Sequence, residues 1–190
     1  RRPPTMLEEV IAELKIACSK AHDALKQHLS RLRTGRANTS MLDGIRVDYY
    51  GTPTPIASMA TVNVPEPRLL QIKVWERGQA KAVDKAIRES DLNLNPQVDG
   101  DIIRIPLPPL TEERRRELVK MAKKQAEESK IAIRKQRKDA RDMIDALVKD
   151  GDVSEDDGAA ASTKCEEVIA AAVKTVDDIV AAKEKDIMAV

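Results

Sequence analysis

Arg134, Arg137, Lys138 and Arg141 stand at i, i+3, i+4 and i+7, so on a helix these four cationic side chains share one face. Arg offers a planar fork of donors to phosphate oxygens, and a rigid helix fixes the spacing between forks. RNA backbone is the partner such a row suits. Residues 111–141 hold twelve Lys or Arg against six acids, a balance of +6, while residues 142–190 hold thirteen acids against five lysines, a balance of −8. The formal net charge of +1 hides a strongly divided molecule. Charged faces on long helices usually serve only as solvated surface laced with i, i+4 pairs. Here no acid stands between Lys130 and Lys138, which leaves the stretch unneutralised within its own helix and turns the reading toward binding.

The remaining chemistry-bearing residues point nowhere comparable. His22 and His28, the two histidines, are six apart and do not share a helical face; His28 falls on an apolar seam, so no metal site is expected. Arg33-Thr34-Gly35-Arg36 lacks the glycine-rich arrangement whose backbone amides cradle phosphates, so no nucleotide site is expected. Asp156 and Asp157 sit where a helix begins, and capping explains them. No Ser, His and acid set has a local signature; catalytic residues and cofactors are expected to be absent. Tyr49, Tyr50 and Trp75 read as packing core, since sheets that bind RNA show several aromatics on one face. Cys18 and Cys165 lie far apart, outside any metal-type spacing, and read as free thiols in a reducing cytosol.

The elements that must position the basic row are helices. Leu7, Ile11, Leu14, Cys18, Ala21, Leu25, His28 and Leu32 alternate steps of four and three, a heptad seam that stops at Gly35. Thr111, followed by Glu112 and Glu113, starts a second helix of almost forty residues. Val119, Ala126, Ile133, Ala140 and Leu147 recur in it at seven-residue intervals, widened by Leu118, Ala122, Ile144 and Val148. Asp150-Gly151-Asp152 breaks it, and Ser154 with Asp157 opens a third, whose inner face carries Val173, Val176, Val180 and Ile187. None of these stripes can be buried alone, whereas three together close a core.

Between them the character changes. Short β-prone runs at 45–50, 60–64, 69–74 and 102–105 are punctuated by Gly, Pro, Asn and Asp, with one helix near 80–90. The reading is α+β: residues 1–35 and 110–190 form a discontinuous three-helix bundle that binds RNA, and residues 36–109 form an inserted β/α/β domain. Two adjacent connections make a hinge from Arg33, Gly35, Arg36, Leu107, Pro108 and Pro109, with the prolines restricting its swivel. Only 2% of residues are aromatic, so Leu, Ile, Val, Met and Ala must fill both cores. No apolar run nears the ~20 residues that span a bilayer. Arg1 to Thr5, ahead of Met6, fit either residues added for expression or the end of a longer natural leader.

Several unusual motifs fall in one register: Arg33-Thr34-Gly35-Arg36, Leu42-Asp43-Gly44-Ile45, Tyr49-Tyr50-Gly51-Thr52-Pro53-Thr54-Pro55, Ser90-Asp91-Leu92 with Asn95-Pro96, and Pro106-Leu107-Pro108-Pro109-Leu110-Thr111-Glu112-Glu113-Arg114-Arg115. In order and spacing they resemble the ribosome recycling factor family, from about Met6 to Val190. The resemblance implies an L-shaped, tRNA-like outline, with a bundle carrying a β/α/β domain through a flexible hinge. It implies a monomer that is no enzyme, binds the post-termination ribosome through large-subunit ribosomal RNA, and acts with elongation factor G. GTP hydrolysis by that factor then drives subunit dissociation and release of mRNA and tRNA. The family's RNA-contacting arginines match Arg115, Arg134 and Arg137, which overlap the row derived above, with Lys138 and Arg141 beside them. The sequence departs from the family at Lys135 and Gln136 and in the Ala-rich 158–162, where related chains tend to be more charged. Bacterial cytoplasm is the expected location, an organelle if a longer leader exists.

Two other functions compete. A protein-interaction adaptor would pair its long helices with a partner's helix and show weak salt dependence. A hydrolase would need a catalytic cluster that the sequence does not display.

Overall fold

A computed structural model describes residues 2–189. The chain forms two compact units, one built from the segment up to Leu32 with Glu112–Met188, the other from Arg33–Thr111. The boundaries fall two or three residues from those read in the sequence.

The helical unit holds α1 (Met6–Ser30), α3 (Glu112–Lys149) and α4 (Glu155–Met188). Thr5 caps α1 in a capping box: its hydroxyl accepts from the Glu8 amide at 3.2 Å, and the Glu8 carboxylate accepts from the Thr5 amide at 2.8 Å. Ser154 caps α4 by accepting from the Asp157 amide at 3.1 Å, where the Ser-to-Asp spacing had placed a helix start. Val10, Leu14, Cys18, Leu25 and Leu29 of α1 meet Ala122, Ala126, Ile133, Ala140 and Ile144 of α3. Cys165, Ile169, Ala172, Val176 and Val180 of α4 complete the core. Each fully buried Leu, Ile or Val contributes about 1.5 to 3 kcal/mol.

Two details of α1 differ from the sequence reading. Leu29 is buried in place of His28, which is exposed, while Leu32 packs against the core as read. A straight helix of 3.6 residues per turn drifts ~20° per heptad from a strict seven-residue repeat, so after three heptads from Leu7 the core face has moved on by over half a residue. The helix also stops at Ser30, before the Thr34-Gly35 pair.

The turn between α3 and α4 depends on two glycines. Gly151 sits at φ +77°, a left-handed conformation that suits glycine. Gly158 is buried against α3, where an added Cβ would lie 2.5 Å from Val148 Cγ2. The Ala-rich start of α4 is therefore a close-packing surface.

The second unit opens with a hairpin of β1 (Arg46–Tyr49) and β2 (Thr52–Pro55), joined by Tyr50 and Gly51 at φ +50° and +82°. A four-stranded antiparallel sheet follows in the order β3-β4-β6-β5, from β3 (Ala60–Glu66), β4 (Leu69–Val74), β5 (Gln97–Asp99) and β6 (Ile102–Pro106). Leu70 lies opposite Ile105, and Ile72 opposite Ile103. All four are fully buried, and Ala80, Val83 and Ile87 of α2 (Ala80–Arg88) join their core. Two strands lie outside the sequence reading. β2 holds Pro53 and Pro55, tolerated because the hairpin is only two strands wide, and β5 is three residues long. Pro106 ends β6 opposite Leu69, so the first of the three prolines belongs to the sheet.

The aromatic residues are a correction. Trp75 is 63% exposed and Tyr50 74% exposed, so neither is core; only half-buried Tyr49 packs against it. Trp75 follows buried Val74, and strand alternation sends it to the opposite side. Tyr50 occupies the hairpin turn itself. Both tyrosine hydroxyls donate to Glu76, at 2.6 and 2.9 Å, and the Trp75 indole donates to Thr61 Oγ1 at 3.1 Å.

Candidate nucleic-acid interface

The basic row exists as a ridge because α3 runs unbroken for 38 residues, about 57 Å at 1.5 Å per residue. Ile133, Ala140 and Ile144 lock its inner face into the core. Arg134, Lys138 and Arg141 are exposed, while Arg137, four after Ile133 and three before Ala140, is half-buried beside the seam. The geometry thus brings together the four residues that the spacing had grouped.

Their electrostatic setting differs from the sequence reading. The stretch is not unneutralised: Arg137 Nε donates to Glu166 Oε1 of α4 at 2.8 Å, and Lys130 Nζ reaches Asp177 Oδ1 of α4 at 2.7 Å. Arg134 Nη1 reaches back seven residues to Glu127 Oε1 at 3.3 Å. Two of the three acids come from a different helix, which only the packing of α3 on α4 reveals. Lys138 and Arg141 keep no ion pair among the described residues. The pairs leave donors over: Arg137 engages only Nε and Arg134 only one Nη, so each keeps donors for a phosphate.

Arg115 lies near the start of α3, nineteen residues before Arg134. Its Nε is buried and has no hydrogen-bond partner among the described residues. Desolvating a donor without a partner costs folding free energy.

The connections flanking the second unit are fastened at one end. Ala37 donates to the Pro67 carbonyl at 2.7 Å, and Leu107 donates to the Arg68 carbonyl at 2.8 Å while packing on the sheet's core. Leu107, counted among the hinge residues, is thus held by the sheet. Arg33, Gly35, Arg36, Pro108 and Pro109 lie outboard of these bonds, with Leu110 3.5 Å from the site of a Gly35 Cβ.

Elsewhere the described residues offer no competing chemistry. They hold no group of three or more His, Cys, Asp or Glu placed to bind a metal ion. No helix is long and apolar enough to cross a membrane. His22 is spent on packing, its Nε2 bonded to the Ala172 carbonyl of α4 at 2.9 Å. Cys18 and Cys165 are buried and free, and burial pushes both thiols above their ordinary pKa.

These features define the class: a helical-bundle protein, interrupted by a small α/β unit, that presents a cationic ridge suited to nucleic acid. The profile of the family described as "Ribosome recycling factor" matches residues 25–188, and the chain belongs to that family. A curated relative named ribosome-recycling factor from Sorangium cellulosum is 62% identical over 183 residues, covering 96% of this chain and 99% of its own. One from Brevibacillus brevis is 49% identical, covering 97% of this chain and 100% of its own. Among solved structures, a solution structure of the ribosome recycling factor superposes with a TM-score of 0.73 at 39% identity, covering 99% of this chain and 100% of its own. Another, at TM-score 0.62 and 39% identity, covers 97% of this chain and 100% of its own. It belongs to models for the T. thermophilus ribosome recycling factor and the E. coli elongation factor G bound to the E. coli post-termination complex.

Proposed function

We propose that this chain recycles bacterial ribosomes in the cytoplasm, as a monomer and without catalysing a reaction itself. The helical unit docks on large-subunit ribosomal RNA through Arg115, Arg134, Arg137, Lys138 and Arg141. Elongation factor G then pushes on the α/β unit, and its GTP hydrolysis drives the subunits apart and frees mRNA and tRNA. The ridge on α3 carries this reading: a helix locked by its core offers arginine donors at fixed spacing, the arrangement that phosphate recognition needs. A bundle anchored in this way converts a push on the α/β unit into strain on contacts between subunits. Motion between the units is assigned to Arg33, Gly35 and Arg36 on one connection and to Pro108 and Pro109 on the other, because Ala37 and Leu107 are tied to the sheet.

Co-sedimentation with empty 70S ribosomes across a salt series tests the anchor. The unaltered chain is expected to bind with steep salt dependence, and each lost phosphate contact, as in Arg137→Ala or Arg141→Ala, to lower the slope by about 1. Binding that ignores salt and both substitutions would instead identify a protein-interaction adaptor.

A further inference from the structure

The C-terminal end of α3, just past Arg141, carries a groove that the ridge does not use. Met6, Glu9, Val10 and Glu13 stand at i, i+3, i+4 and i+7 on α1. Met143, Ala146 and Leu147 on α3, with Asp150 just past its end, repeat that spacing, and the two rows line an open groove of about 330 Å³. Val10 is buried and Leu147 half-buried, whereas Met6 and Met143 are 53% and 47% exposed. Thioether side chains adapt to irregular apolar partners. Around this apolar lining stand Glu9, Glu13 and Asp150, all exposed, and none makes an ion pair or a side-chain hydrogen bond among the described residues. No Lys or Arg lines the groove.

We infer that this groove docks a basic amphipathic polypeptide segment. One or two of its aliphatic side chains lie against Val10, Leu147 and the two methionines, and its Lys or Arg residues face Glu9, Glu13 and Asp150. Charge decides the class of occupant. A nucleic acid or an anionic membrane would bring phosphates against three carboxylates with no Lys or Arg in the lining to offset them. An acidic or uncharged peptide would leave those carboxylates unmatched. Size decides between a segment and a second copy of this chain: eight residues line the groove, against the roughly 20 to 30 per side of a stable protein interface. Residues 6 to 13 rise about 10 Å, the length of two helical turns, so anchors at i and i+3 or i+4 of an incoming helix fit. The charge of the lining thus separates two partners: phosphates on the ridge, a cationic peptide in the groove.

The test is a titration of the full chain, carrying ¹³C-labelled methionine methyls, with a helical peptide of leucines at i, i+3 and i+4 among lysines. Two control peptides have glutamate in place of lysine or serine in place of leucine. The methyl signals of Met6 and Met143 are expected to shift while those of Met121 and Met188 stay in place, with neither control peptide acting. The double variant Glu9→Lys, Glu13→Lys and the single variant Met143→Ser, all at exposed positions, are each expected to weaken the peptide at least tenfold. Unmoved Met6 and Met143 signals, equal affinity for the variants, the same shifts from an RNA oligonucleotide, or self-association abolished by the same variants would each overturn the assignment. The result does not depend on ribosome binding through the ridge.

Discussion

Arg137 donates through Nε to Glu166 Oε1 at 2.8 Å, so the half-buried arginine of the α3 ridge is held by an acid of α4. The two side chains are 43% and 47% exposed, which limits the pair to less than about 1 kcal/mol of stability. Its larger consequence is for binding, because Glu166 competes with any phosphate that approaches Arg137. Glu166→Gln keeps a hydrogen-bond acceptor and removes the charge. It is expected to leave the unfolding midpoint nearly unchanged and to tighten ribosome binding about 2- to 5-fold at low salt, with the gain shrinking as salt rises. Weaker binding by the variant would show that the acid assists the arginine.

Arg115 tests whether the proposed RNA contact costs stability. Its Nε is buried without a partner, so Arg115→Met removes an unsatisfied donor and keeps much of the apolar stem's packing. Chemical denaturation is expected to show the bundle about 1 kcal/mol more stable, while sedimentation shows weaker attachment to ribosomes. A loss in both measurements would mean that Arg115 serves the fold alone.

Gly158 tests the packing of α4 on α3. An alanine methyl there would lie 2.5 Å from Val148 Cγ2, so Gly158→Ala is expected to destabilise the bundle by about 1 to 3 kcal/mol despite alanine's better helix propensity. Adding Val148→Ala opens the space and should restore part of the loss. Calorimetry of the single and double variants decides the matter.

Glu76 gives the α/β unit an acid-sensitive bond. Hydrogen bonds from Tyr49 and then Tyr50 hold its carboxyl below the ordinary value of 4.5. A carboxyl lowered on folding favours the folded state above its unfolded pKa, and that advantage fades as pH falls through the folded pKa. Acid should therefore weaken this unit from about pH 4.5 downward, and Glu76→Gln should flatten that limb. Denaturation of the two proteins at about pH 7 and about pH 3 is expected to give a gap that narrows at the lower pH.

What the sequence reveals follows from the range of the interactions involved. The seven-residue series from Val119 to Leu147 marks the inner face of α3 because helical periodicity is local, and Ser154 to Asp157 marks the start of α4 for the same reason. The row from Arg134 to Arg141 is equally local. The acids that answer it are not, since Glu166 and Asp177 become neighbours only once α4 packs on α3. Trp75 departs from the packing-core reading because it follows buried Val74 and so faces the opposite side, and Tyr50 because a turn at positive φ carries an aromatic where glycine or asparagine is usual. His28 shows the drift between a heptad and a straight helix.

The helical core is split by the insertion, with α1 finished at Ser30 and α3 beginning at Glu112. During synthesis at about 5 to 20 residues per second, α1 waits several seconds with its apolar stripe uncovered before either partner helix exists. The α/β unit closes in the meantime, because its own core lies between Ala37 and Leu107. The cationic ridge is set rigidly only when α4 packs down on α3. A chain released before α4 is made therefore carries the arginines without the platform that spaces them.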